Sequence, residues 1–251
     1  MSIDPTPTIS PASITLSVVS HGQILLVNKL LEDLATKCPP RLDVILTQNV
    51  PEAPPIVPRN WNHRLDIVSN ERPAGFGANH NAAFRRCRTP AFCVVNPDIR
   101  LTLDPIPILL APMRDERIAL VGPKVSNPNG GVEDSARKFP TVSSLFGKAL
   151  TRPLGPDYPV DRGTVEVDWI AGMFMLFRSR CFAEVGGFDE RFFLYYEDVD
   201  ICRRLRSKGY SVVFNPGATV IHDARRESRR NPMLMWVHAT SALRYLLRKY
   251  P

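Results

Sequence analysis

Three carboxylates, Glu197, Asp198 and Asp200, follow directly on the run Phe192-Phe193-Leu194-Tyr195-Tyr196. Carboxylates set against so much apolar surface are costly unless something cationic or reactive needs them there. The chemistry they suit is proton abstraction, because a positioned carboxylate is an effective general base. Glu197 and Asp198 open a helix expected over 198–208 and stopped by Gly209. The helix dipole lowers a carboxylate pKa there, while the aromatic run and the second acid raise it. Neighbouring acids in such split environments can keep one of them basic near neutral pH. The plain alternative is that both are ordinary first-turn acids. A second candidate is Asp98 in Asn96-Pro97-Asp98, a turn signal in most proteins. Here it ends a buried strand, where a carboxylate faces the pocket and can hold a divalent cation through oxygen.

The elements that must position these groups alternate. Strands are expected at 14–20, 42–47, 65–69, 91–95 and 118–125, and helices at 23–37 and 78–88. Residues 101–113 read as a proline-broken stretch, 142–150 as a short helix and 151–163 as a mobile loop over the pocket. Strands alternating with helices imply an α/β fold around a mainly parallel sheet, with ligands at the carboxyl ends of its strands. Those ends carry Ser20-His21-Gly22, Gln48-Asn49, Gly75-Phe76-Gly77 and Asn96-Pro97-Asp98, which together form a pocket rim. Each has a bland reading: His21 as a structural histidine, the two glycines as a tight turn. The glycine turn is neither a GxGxxG nor a Walker pattern, which disfavours a nicotinamide or P-loop role. Asp168-Trp169 precedes an apolar strand, and Trp169 reads equally as a platform for a sugar ring or as core.

The 44% hydrophobic content of the 251 residues suits a soluble globular chain, and no apolar run approaches the ~20 residues of a membrane span. Residues 1–13 read as a disordered leader without the pattern of a signal peptide. Five cysteines without CxxC spacing imply reduced thiols and a cytoplasmic location, and exclude a disulfide framework. The net charge of +7 is uneven. Residues 224–251 hold Arg225, Arg226, Arg229, Arg230, Arg244, Arg248 and Lys249 against Glu227 alone. A nucleic-acid-binding fold would spread such charge over a docking face, so nucleic acid is not an expected partner.

In order along the chain, SVVSHG (17–22), GFGANHN (75–81), VVNPDIRL (94–101) and the block 167–222 resemble the family 2 glycosyltransferases, most closely their rhamnosyltransferase-like branch. The block, with its GGFDE run followed by EDVD, is the specific part. The resemblance covers roughly 14–223 and implies a GT-A fold, with a nucleotide-sugar-binding half (14–125) and an acceptor half (126–223). It implies inverting transfer of a sugar, rhamnose or a similar hexose, from a nucleotide sugar to an acceptor hydroxyl in polysaccharide or lipopolysaccharide O-antigen synthesis. dTDP-rhamnose is the first expected donor, and a saccharide or lipid-linked saccharide the acceptor. Asp98 matches the ligand of Mg²⁺ or Mn²⁺, and His222 a histidine that approaches the metal-diphosphate. The acid pair matches Glu197-Asp198, with Asp198 the favoured base. Ser20, His21, Gln48, Asn49, Gly75, Phe76, Gly77, Asn81, Asn96 and Asp98 are then the expected nucleotide-sugar contacts. Asp168, Trp169 and Gly172 are expected at the sugar or acceptor. Gln48 stands where relatives often have an Asp that reads the base, Pro73 where Asn often precedes the glycine turn, and His80 at a common Asn position.

Residues 232–250 read as a basic amphipathic helix, with Trp236, Leu243, Leu246, Leu247 and Tyr250 on one side. Packing on the domain and peripheral contact with the inner face of a membrane both remain open for it. The rival to an enzyme is a non-catalytic nucleotide-sugar-binding or scaffold protein of the same fold.

Overall fold

The computed structural model describes residues 14–141, 156–223 and 232–250. The leader, the helix expected at 142–150 and the first part of the 151–163 loop lie outside them. The chain forms β1 (Ile14–Ser20), α1 (Ile24–Lys37), β2 (Asp43–Gln48), β3 (Arg64–Ser69), α2 (Phe76–Phe84), β4 (Ala91–Val95) and β5 (Ile99–Leu101). It continues with α3 (Ile106–Leu110), β6 (Ile118–Ser126), β7 (Ala136–Arg137), β8 (Val165–Glu166), β9 (Trp169–Ile170) and β10 (Phe174–Arg178). Last come α4 (Ser179–Glu184), α5 (Glu197–Ser207), β11 (Ser211–His222) and α6 (Pro232–Leu247).

One sheet runs β3-β2-β1-β4-β10-β6-β11-β5, with β8 beside β11. The strands β1, β2, β3, β4, β6 and β11 share one direction, while β10, β5 and β8 oppose it. The β4 side chains alternate, as a pleated strand requires: Ala91, Cys93 and Val95 enter the core under α1 and α3, Phe92 and Val94 the core under α2, α4 and α5. Burial on both faces explains why β4 reads as an unbroken apolar run. The position of β10 between β4 and β6 has no signal in the sequence, because pairing order is a long-range property.

Two boundaries differ from expectation. The stretch 101–113 is not merely broken: α3 forms within it, since proline is tolerated in a first helical turn, where its missing N–H is no loss. The second helix begins at Phe76, not 78, with Gly75 as its N-cap.

β5 and β11 pair antiparallel with Ile99 opposite His222, and the Asp223 N–H donates to the Asp98 carbonyl at 2.9 Å. That register brings Asp98 and His222 together. At the base of β5, buried Asp33 of α1 accepts from Arg100, from Lys37 and from the Leu101 N–H. Burial pushes its pKa up, but those donors outweigh it and hold the carboxyl below its ordinary value.

Candidate active site

A cleft of about 1260 Å³ opens at the carboxyl ends of β1, β2 and β4. His21, Asn49, Phe76, Asn96 and Asp98 line it on one side, and Trp169, Gly172, Glu197 and Asp198 on the other. The sequence-derived candidates therefore converge, though not all of them.

Asp198 sits at the cleft wall with both carboxylate oxygens engaged. Oδ2 accepts from the Gly172 N–H at 3.0 Å and Oδ1 from the Val199 N–H at 2.8 Å. Burial raises its pKa; the two N–H donors and the charge of Arg137 pull it back, leaving it above the ordinary value. Glu197 is more deeply placed, only 4% exposed, and its Oε2 is buried without a hydrogen-bond partner. Burial, with the charge of Asp198 next to it, pushes Glu197 well above the usual carboxylate range. The pair is thus split: burial raises both carboxyls, Glu197 the more strongly, while the Gly172 and Val199 N–H donors partly offset it at Asp198. Asp200 belongs elsewhere. It is fully buried and held by Arg204, Arg248 and the Tyr250 hydroxyl.

The approach to the pair is strained. Tyr195 and Tyr196 have φ of 68° and 70°, a left-handed conformation that costs a non-glycine residue of order 1–3 kcal/mol. Three contacts hold it. The Phe193 carbonyl accepts from the Phe76 N–H at 2.9 Å, the Leu194 carbonyl accepts from Ser241 Oγ at 2.9 Å, and the Tyr196 ring lies against His238 and Tyr245. Gly75 and Gly77 make the first contact feasible: a Cβ at Gly75 would meet the Phe193 oxygen at 2.6 Å, and one at Gly77 the Phe188 Cβ at 2.7 Å.

This corrects the expected role of the glycine turn. Gly75 and Gly77 let the two halves of the chain close on each other, and the Phe76 N–H is already spent on Phe193. Asn81 likewise serves packing, exchanging hydrogen bonds with the Phe188 backbone and donating to Glu190. Ser20 donates to Glu52, and Gln48 donates to the Ala53 carbonyl while accepting from Ser69. None of these five lines the cleft. Asp168 also stands outside it, accepting from the Phe139 N–H. Trp169 resolves mostly as core, 7% exposed, with its indole N–H on the Lys138 carbonyl and its edge at the cleft.

His222, which does not itself line the cleft, bridges two carboxylates. Its Nε2 lies 3.1 Å from Asp98 Oδ2 and its Nδ1 2.7 Å from Glu133 Oε2. Burial lowers the imidazole pKa, but the two carboxylates outweigh it and bring it to about 8. Among the described residues no group of three or more His, Cys, Asp or Glu is placed to enclose a metal. Asp98 Oδ1 is nevertheless buried with no hydrogen-bond partner, an orphaned anionic oxygen at the cleft. That suits Mg²⁺ or Mn²⁺, which takes one or two carboxylates and completes its shell with phosphate and water.

The sequence reading missed several cleft residues. Arg137 and Lys138 bring positive charge into it, with Arg137 paired to Asp134 and lying 5.2 Å from the centre of the Trp169 ring. Asn79, Leu234 and His238 line it as well. The only signal for Arg137 and Glu133 was a polar loop between strands; His238 had none. The tail packs on the domain, and the expected apolar side is divided between core and solvent. Ser241, Ala242, Tyr245, Leu246 and Tyr250 turn inward, whereas Trp236, Leu243 and Leu247 stay exposed.

The family described as "Glycosyltransferase like family 2" matches residues 56–239. Rhamnosyltransferase WbbL of Escherichia coli K12 is 31% identical over 248 residues, 92% of this chain and 92% of that protein. An N-acetylglucosaminyl-diphospho-decaprenol L-rhamnosyltransferase of Mycobacterium tuberculosis is 36% identical over 152 residues, 55% of this chain. The matched stretch spans about half (48%) of the mycobacterial protein. Among solved structures, the mannosyltransferase PcManGT of Pyrobaculum calidifontis, in complex with GDP-Man and Mn²⁺, superposes with a TM-score of 0.60 at 14% identity. That likeness covers 100% of this chain and 68% of the other, and concerns the fold, which is GT-A-like as expected.

Proposed function

The chain belongs to glycosyltransferase family 2, and we propose that it transfers a sugar, rhamnose first, from a nucleoside diphosphate sugar to an acceptor hydroxyl with inversion. The observation that carries this reading is the split acid pair sharing one cleft with the orphaned Asp98 oxygen. The rhamnosyltransferase names of its relatives support the choice of donor sugar, and the decaprenyl diphosphate in one of those names supports a lipid-linked saccharide as acceptor. dTDP is the proposed nucleotide and cell-surface polysaccharide the proposed product. The free cysteines fit a reducing, cytoplasmic setting.

In this mechanism Asp198 accepts the proton of the acceptor hydroxyl as its oxygen attacks the anomeric carbon. The carbon–oxygen bond to the diphosphate breaks, and the nucleoside diphosphate leaves with the electron pair. The Gly172 and Val199 N–H groups aim the carboxylate and keep it charged. Glu197, protonated behind it, adds no competing charge. Asp98, with His222 beside it, would hold Mg²⁺ or Mn²⁺, which would supply positive charge to the diphosphate; the neighbour PcManGT is itself in complex with Mn²⁺. Arg137 and Lys138 add charge of the same sign from the facing loop.

The test is release of nucleoside diphosphate that depends on both donor and acceptor. The wild-type chain should release it, and Asp198→Asn should lose roughly 10²–10⁴-fold in turnover with donor binding nearly intact. Turnover of that variant within a few-fold of wild type would remove Asp198 as the base. Donor binding with no transfer to any saccharide acceptor would favour the scaffold reading instead.

A further inference from the structure

Helix α6 has two apolar sides, and the fold uses one. Its inward side buries Ser241 and Tyr245 and lends Leu234 and His238 to the cleft. Its outward side presents Met233, Trp236, Leu243 and Leu247 at 72%, 69%, 57% and 73% exposure, spaced three and four residues apart in a single stripe. Thr240, the one polar residue in that stripe, turns its hydroxyl back onto the Trp236 and Val237 carbonyls. Exposed apolar surface this continuous along one helix marks a docking face.

Charge identifies the occupant. Residues 232–250 contain no acid, and Arg244 and Lys249 are exposed on this helix and just beyond it. Arg248, by contrast, is consumed by Asp189 and Asp200. A second copy docked through the same face would set these cations against their own images, a like-charge juxtaposition that opposes association. An anionic bilayer meets both features at once: its headgroups take the cations, and the acyl boundary takes Trp, Leu and Met. We propose that α6 lies flat on an anionic membrane surface through Met233, Trp236, Leu243 and Leu247, with the cleft opening on the other side of the same helix. The helix is about 24 Å long at 1.5 Å per residue, so it contacts the bilayer along its length without crossing it. Contact of this kind brings the cleft beside the headgroups, where the sugar of a lipid-linked acceptor is presented. That last consequence rests on the proposed function; the docking itself does not.

The experiment is co-sedimentation of the full chain with vesicles of phosphatidylglycerol and phosphatidylethanolamine, set against vesicles of pure phosphatidylcholine. The chain should partition onto the anionic vesicles. The triple variant Trp236→Ser, Leu243→Ser, Leu247→Ser should bind at least about tenfold more weakly while releasing nucleoside diphosphate normally with a water-soluble acceptor. If that variant misfolds, Arg244→Glu with Lys249→Glu should weaken the partition and remove its salt sensitivity. Three results overturn the proposal: no partition of the full chain, equal partition of the wild type and both variants, or a solution dimer that the triple variant splits. Partition needs neither donor nor acceptor, so a failure of sugar transfer would strike the proposed function alone.

Discussion

Asp98 stands at the start of a strand whose neighbours are set by backbone register, whereas Asp198 stands on a helix entered through two left-handed tyrosines. The first wall of the cleft is therefore fixed by hydrogen bonds that any sequence in β5 and β11 would make. The second depends on side chains from three separate places: the glycine turn at α2, the loop 192–196 and the C-terminal helix α6. Ring contacts from His238 and Tyr245, the Ser241 hydrogen bond and the ion pairs of Arg248 act together as a strap over the strained segment. Strain of this kind persists only where surrounding structure over-determines it. The comparison implies that the metal wall should tolerate changes at a distance and the base wall should not.

The largest expected effect tests the rigid wall directly. Asp98→Ala should cost roughly a hundredfold or more in turnover and weaken Mn²⁺ binding, read by paramagnetic resonance, without changing thermal stability much. Unchanged Mn²⁺ affinity would remove Asp98 from the metal site. Next comes the strap. Arg248→Ala leaves Asp200 with Arg204 and Tyr250 but frees the end of α6, so kcat should fall about tenfold while the donor Kd stays within about twofold. A uniform loss of both, or of neither, would make Arg248 a general stabiliser and not a positioning residue. Glu197→Gln should be milder. Burial pushes the Glu197 carboxyl toward its neutral form, so the amide replaces a like-sized group and turnover should stay within about tenfold of wild type. A loss as large as that of Asp198→Asn would reverse the assignment within the pair.

The smallest effect concerns acid stability. Arg191 above all holds the Asp189 carboxyl down to about 2, with Arg248 adding to it, and Asp33 is also held below its ordinary value. Both groups have folded-state values under the ~3.9 of an unfolded Asp. Their contribution to stability is therefore complete above about pH 4 and is lost as the pH falls toward 2. The urea midpoint should decline over that window, and Asp189→Asn should flatten the decline. An unaltered acid limb in that variant would mean the Asp189 pairs contribute nothing in solution.

Much of the site was legible because its signals are local. An acid pair after five apolar and aromatic residues, and a carboxylate just past a β-branched strand, can each be read within about ten positions. The parallel β1, β2 and β4 were equally plain, since strands buried on both faces read as apolar runs. Illegible were the partners that chain folding alone supplies. Glu133 reaches His222 only because the loop after β6 returns beside β11. Gly75 and Gly77 read as turn residues at the nucleotide sugar, and their close packing against Phe193 and Phe188 needs a segment more than a hundred residues away. The amphipathic pattern of α6 is plain in the sequence, but its apolar side divides, with Leu246 and Tyr250 turned inward and Trp236, Leu243 and Leu247 outward. It carries apolar residues on two sides, and periodicity cannot tell which side meets a core it does not see.

By itself, then, the sequence determined the strand–helix order and the family and singled out the carboxylates proposed for a chemical role, because these rest on composition and spacing along a short length of chain. Tertiary structure decided that burial raises the pKa of both adjacent acids, Glu197 the more strongly, and that Asp198 accepts from the Gly172 and Val199 N–H groups. It also decided that Asp200 is structural and that α6 both straps the base wall and leaves an apolar face free. Those outcomes turn on burial and on who donates to whom, quantities that exist only once distant segments have packed.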